Sequence, residues 1–482
     1  MEPIYVQLDK LQRGLITRRE FLKRAAILGL TTPAVLAALE GCGQQAATTR
    51  APGTKLTAPD PNADESKSQP IIFRGWAYET ATVEDNVKKF NAEYKENVDY
   101  KTLTGDYGVI IDTMLANKEP LDLYYAHEDT IPRHAPAGRL LDFEGWWDVE
   151  KAKADMYPSI KNALSWEGKL YALPYYTAIR ACIMVNKALL KKTGMETVQL
   201  KSWPEFYDLC RQMKKEGVAQ TPLLHHWFAP SWAAAWQFLW ECQNRGIALF
   251  DFEQEAKPLF DANHESVKVL EDWAQVFKDG LVPESVFNLQ EGDYIDAFAK
   301  GEYLFSPQQT YDGKRFNDPA RSNIAGMVDF ATPPPGKPWG KLEIGNYTLP
   351  NRQRDDKFLA RVYRLHSWFG YRDKAGKLFV AKRWALEQAL GSGYKEILED
   401  KEVLDSYAKW MPGKDRQFKD MQTYYDQVVW DRFYHVGWQS EFLNAAKAQL
   451  DPAILGKKSP KDAITDLRAE VDKVWERFRK KK

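Results

Sequence analysis

From Ile71 onward, short apolar runs alternate with stretches in which apolar residues recur at helical spacing. Residues 71–73 read as a strand ending at Gly75, and Val83, Val87 and Phe90 then fall at i, i+4 and i+7, the spacing of one helix face. Residues 98–103 predict a second strand, 109–115 a helix and 121–125 a third strand. This βαβαβ succession calls for a parallel sheet with covering helices, and ligands of such sheets bind at the C-terminal strand ends. The loops beginning at Trp76, Thr104 and Ala126 are therefore the first places to look for function. Further on, residues 170–174, 182–185, 303–305, 324–328 and 341–349 read as extended. Residues 203–213, 265–277, 358–369 and 464–478 read as helices, the first with Ser202 as its N-cap. Pro333-Pro334-Pro335-Gly336 marks a rigid turn between extended runs.

Ahead of this region stands Thr17-Arg18-Arg19-Glu20-Phe21-Leu22-Lys23, followed by an apolar stretch over 25–39 and by Leu39-Glu40-Gly41-Cys42. The order resembles a twin-arginine export signal ending in a lipoprotein box, with Glu40 standing where a small or neutral residue is usual. The resemblance implies that residues 1–41 form a cleaved signal peptide and that Cys42 is the lipid attachment site. The apolar run is too short to span a bilayer. Residues 42–70 are rich in Ala, Thr, Pro, Asp and Ser with almost no large apolar residue, so they read as a flexible tether.

A chain of 482 residues has room for two or more lobes. Its 67 basic residues balance 67 acidic ones, and removal of residues 1–41 would leave a formal charge of −2. No basic stripe marks a nucleic-acid surface, so polynucleotide binding is disfavoured. After Cys42 only Cys182, Cys210 and Cys242 remain, which excludes a disulfide framework and favours buried thiols. His225-His226 lacks metal-ligand spacing, no zinc or calcium motif occurs, and no nucleotide-binding or nucleophile-elbow pattern is present, so neither metal nor cofactor is expected. The 17 Trp all lie from Trp76 onward, and a Trp face suits either a core or a flat ligand.

One ordered set of motifs goes further. Gly168-Lys169-Leu170-Tyr171-Ala172-Leu173-Pro174, then Met184-Val185-Asn186-Lys187, Leu189-Leu190-Lys191-Lys192-Thr193-Gly194, Trp203-Pro204-Glu205-Phe206 and Phe298-Ala299-Lys300-Gly301-Glu302-Tyr303 resemble, in that order, the extracellular solute-binding proteins of ABC importers, family 1, a group that includes sugar binders. The resemblance implies an α/β, two-lobed type II periplasmic-binding-protein fold with a ligand cleft between lobes joined by hinge segments. The hinges are expected near 171–176, 329–333 and 385–394. The lobes are then 71–175 with 331–385 (N-terminal) and 176–330 with 386–482 (C-terminal). A monomeric receptor is implied, closing its lobes on a solute and delivering it to the membrane subunits of a permease.

A neutral sugar offers flat C–H faces and vicinal hydroxyls, which aromatic planes and carboxylate, amide or imidazole groups match. The strand-end loops supply Trp76, Tyr78 and Glu79, then Asp106 and Tyr107, then His127, Glu128 and Asp129. Tyr175 and Tyr176 follow the first hinge, Gln308 and Gln309 follow a strand, and Gly345-Asn346 allows close backbone approach. Trp232, Trp236 and Trp240 share a helix face. That stripe fits core packing, with Trp232 and Trp236 the members offered to a ligand. Trp430, with nearby Tyr434, completes the candidate set, and Trp339 is a further candidate. Two other classes stay open. Aromatics with Glu79, Asp106 and Asp129 would also cage a polyamine, and an exported carbohydrate-active enzyme would need only two suitably spaced carboxylates.

Overall fold

A computed structural model describes residues 55–480 except 67, 105–106, 229–231, 338, 353 and 428–431. The expected signal peptide and Cys42 lie outside the described residues, as do Asp106, Trp430 and the side chain of Tyr434. Among the described residues no helix is long and apolar enough to cross a membrane.

Along the chain, β1 (Ile71–Gly75) leads to α1 (Thr80–Tyr94), β2 (Val98–Thr102), α2 (Tyr107–Ala116) and β3 (Leu123–His127). After several short helices come β4 (Ala172–Arg180) and β5 (Cys182–Asn186). Helices α3 (Trp203–Lys215), α4 (Ala233–Asn244), α5 (Ser266–Lys278) and α6 (Glu291–Ala299) follow. Then come β6 (Phe305–Gln308), α7 (Asp312–Phe316), β7 (Val328–Phe330), β8 (Lys341–Thr348) and α8 (Asp356–Gly370). The C-terminal part is helical and includes α9 (Gln439–Ile454) and α10 (Pro460–Arg479).

The chain divides into two compact units. Unit 1 holds the described residues up to Tyr175 with Gly345–Ala381, and unit 2 holds Tyr176–Ile344 with Lys382–Lys482. The chain therefore changes unit within β4, within β8 and after Ala381, not at 329–333 or 385–394. Residues 329–333 sit inside unit 2 because their backbone is already engaged there. The Ala331 N–H donates to the Ile183 carbonyl, and the Thr332 N–H donates to that of Val198.

In unit 1 the sheet order is β2-β1-β3-β8-β4, with β1 parallel to both β2 and β3 and β8 antiparallel to β3. Val83, Val87, Phe90 and Tyr94 form the buried stripe of α1. Gly75 ends β1 because a Cβ there would lie 2.7 Å from both Tyr100 Oη and Tyr125 Cε2. The segment expected as a free tether is docked over its described part. Leu56 is buried and its N–H donates to the Gly145 carbonyl, while Arg364 donates to the Asp60 carbonyl and Arg361 to that of Gln69. Both arginines, on α8, converge on the buried Glu96, with Arg361 Nη2 2.8 Å from its carboxylate.

Unit 2 centres on an antiparallel sheet β6-β5-β7. Ser202 caps α3 by accepting the Glu205 N–H, as its sequence position predicts. Gly301, at φ +91°, turns the chain out of α6, so β6 begins only at Phe305. Residues 324–327, read as extended, form a turn ahead of β7. Cys182, Cys210 and Cys242 are buried and free, and burial pushes their thiols up. Trp240 is core, and Trp339 lies buried against Trp203 with ring centroids 4.5 Å apart, which removes it from the ligand candidates.

Candidate functional site

Each unit carries its own cluster. In unit 1, Trp76 follows β1 and His127 ends β3, and their rings stack at 5.0 Å with 17° between planes. Parallel strand pairing causes this, since it brings both strand ends to one edge. Tyr107 meets Trp76 edge-on at 5.5 Å, and Tyr125 and Tyr175 stack beneath it at 4.9 Å. Trp76 stays half-exposed over a buried aromatic base. Gly345 pairs with His127 across β8 and β3, so the register neighbour of His127 on β8 carries no side chain.

Other candidates in this unit make contacts within it. Tyr107 Oη donates to the Tyr125 carbonyl at 2.9 Å and accepts its N–H at 3.0 Å, which ties α2 to β3. Burial raises that phenol well above its ordinary range. Asn346 is fully buried, and its Oδ1 accepts from Thr348 Oγ1 at 2.6 Å. Glu128 is buried as well. Asp129 lies 3.8 Å from Arg133, itself 3.2 Å from Asp112. Glu79 takes a left-handed backbone (φ 44°) at the start of α1, and Tyr78 donates its N–H to the Trp76 carbonyl.

In unit 2, Tyr176, Gln308 and Gln309 come together with residues that the sequence reading missed. Tyr176 Oη donates to Glu343, which also pairs with Arg180, and Arg180 lies 3.6 Å from Glu291. A pocket is lined by Arg180, His226, Phe228, Glu291, Tyr294, Gln308, Gln309 and Asp312, among others. Gln308 Nε2 donates to Ser306 Oγ at 2.9 Å, and Gln309 Nε2 lies 3.5 Å from Glu291. Burial pushes the Asp312 carboxyl up to about 7, with Glu291 adding to the rise while Arg315 and Arg180 oppose it. Burial, then Arg180, hold His226 down at about 3, so it is neutral in the pocket. A usable signal existed for Arg180 and Glu343, charges at the end of the buried run of β4 and within that of β8. None existed for Asp312, whose burial depends on the fold.

The Trp232 indole N–H donates to Asn444 Oδ1 at 2.9 Å. Trp236 is half-buried beneath Lys341, whose Nζ lies 5.4 Å from the ring centroid. Among the described residues no group of three or more His, Cys, Asp or Glu could hold a metal ion.

Residues 86–351, more than half of the chain, match the family model described as bacterial extracellular solute-binding protein. No curated protein matches the chain. Among solved structures, maltose-bound MalE3 of T. maritima is similar, with a TM-score of 0.69 at 16% identity over 84% of this chain and 99% of that one. An ABC transporter solute-binding protein from Agrobacterium vitis, with bound D-mannitol, gives 0.65 at 18% identity over 86% and 98%. One from Agrobacterium radiobacter, in complex with ribitol, gives 0.67 at 16% over 85% and 100%.

Proposed function

Because the chain belongs to the bacterial extracellular solute-binding protein family, we propose that it captures a carbohydrate or polyol outside the cytoplasm and hands it to an ABC permease. The observation that carries this reading is the half-exposed Trp76 braced by His127, Tyr107 and the Tyr125–Tyr175 stack. A rigid indole face of this kind suits the C–H face of a sugar ring or extended polyol. The related folds that hold maltose, D-mannitol and ribitol support the same ligand class.

A cationic ligand is less well served, since Asp129 already faces Arg133 and Glu343 already pairs with Arg180. The family consists of binding proteins, and we read this chain as one, without catalytic turnover. A thermal-shift panel tests both points. Maltose, D-mannitol or ribitol at about 100 times its dissociation constant should stabilise the chain by about 2.7 kcal/mol, whereas spermidine should not. Stabilisation by spermidine alone, or turnover of a glycoside, would overturn the reading.

We further propose that Cys42 is lipidated after export by the twin-arginine route, which holds the receptor at the membrane surface. Cys42→Ser should move the protein from the membrane to the soluble fraction and reduce uptake of its solute. Retention in membranes would refute the anchor.

A further inference from the structure

The unit 2 pocket has an asymmetry that bears on ligand choice. Gln309 is only 7% exposed, and its Oε1 is buried with no hydrogen-bond partner, while its amide nitrogen faces Glu291 at 3.5 Å. A buried acceptor without a donor is costly, and an incoming hydroxyl removes that cost. The charges around it are unequal. Arg180 is the guanidinium lining the pocket, and it already pairs with Glu343 and faces Glu291. Asp312, 4% exposed, accepts the Gln309 N–H at 3.2 Å and presents a second carboxyl to the same space. His226 and Tyr294 complete the polar lining, and Tyr294 Oη is held by Ser306 and the Pro307 carbonyl.

We propose that this pocket, with Gln309 Oε1 as its acceptor, is the subsite that sets ligand class: it takes an uncharged hydroxylated group and rejects the carboxylated counterpart of the same sugar. A hydroxyl supplies the proton that Gln309 lacks. A carboxylate has none to give, and the Glu291 carboxylate lines the same pocket. Sites that require a donor discriminate strongly against analogues without one, and the like charge of Glu291 adds a repulsive element. The inference rests on the carbohydrate reading above and deepens it.

Calorimetric titration of the whole chain with maltose, D-mannitol and ribitol, each against its aldonate (maltobionate, D-mannonate, D-ribonate), tests it. The neutral member of at least one pair should bind about a hundredfold tighter than its acid. Gln309→Leu should weaken neutral binding about tenfold. Glu291→Gln, at a half-exposed position, should narrow the gap between neutral and acid. If Gln309→Leu does not fold, wild-type selectivity and Glu291→Gln still decide the matter. Equal binding of neutral and acid in every pair that binds, or unchanged affinity in a folded Gln309→Leu, overturns the subsite while leaving the receptor reading intact. Absence of binding by all six compounds overturns the carbohydrate reading itself.

Discussion

Glu96→Ala lowers the stability of unit 1 by about 3–5 kcal/mol, the cost of leaving buried charge uncompensated. The Glu96 side chain is wholly buried and receives Arg361 through Nε and Nη2, with Arg364 on its other oxygen. Removing the carboxylate leaves two guanidinium groups, whose side chains are 3% and 5% exposed, with Glu65, 4.0 Å from Arg361, in its place. These arginines also hold the Asp60 and Gln69 carbonyls, so the 55–70 segment loses its moorings with them. In a unit of this size the unfolding midpoint should drop by roughly ten degrees. Limited proteolysis should cut first within 55–70. Asp85→Ala is the control, because the Asp85–Lys89 pair is about half-exposed and such pairs contribute at most about 1 kcal/mol. If both variants melt alike, the Glu96 cluster does not hold the unit together.

Trp76→Ala should weaken binding of whichever neutral compound gives the largest thermal shift by about thirtyfold, as loss of a buried aromatic anchor does in other interfaces. The stability of the ligand-free protein should change far less, by about 1 kcal/mol, since the indole is only half-buried and His127 and Tyr107 remain on their own elements. Trp76→Phe, which keeps a smaller plane, should fall between the two. The paired measurement separates binding from packing. A lower melting temperature with unchanged affinity would make Trp76 a core residue and remove the observation on which the proposed function stands.

Local patterns were legible in the sequence, and so were the loops they imply. The i, i+4, i+7 spacing gives the buried stripe of α1, Ser202 caps α3, and alternation along the chain foretells parallel pairing of β1 with its neighbours. From these followed the strand-end placement of Trp76 and His127. What stayed hidden depends on partners far away in the chain. The Trp232 indole N–H donates to Asn444, 212 residues on. Tyr176 meets Glu343 across 167 residues. Composition misled at 55–70, because few large apolar residues suggested no packing. The segment is held instead through its own carbonyls by arginines on α8, an interaction that composition does not register.

The division of unit 1 between two stretches of chain also sets the order in which it can be built. Its first stretch ends at Tyr175, yet the far edge of β3 is covered only when Gly345–Thr348 arrives, and Glu96 finds its arginines only with α8. At ribosomal rates of about 5–20 residues per second, that interval lasts on the order of ten seconds or more. Throughout it an apolar strand edge stands open, a hazard for pairing with another chain. The export signal proposed for residues 1–41 would thus be made well before the fold it precedes can be finished. The proposed twin-arginine route would suit such a chain, because it would leave time for the late half of unit 1 to close the sheet before export.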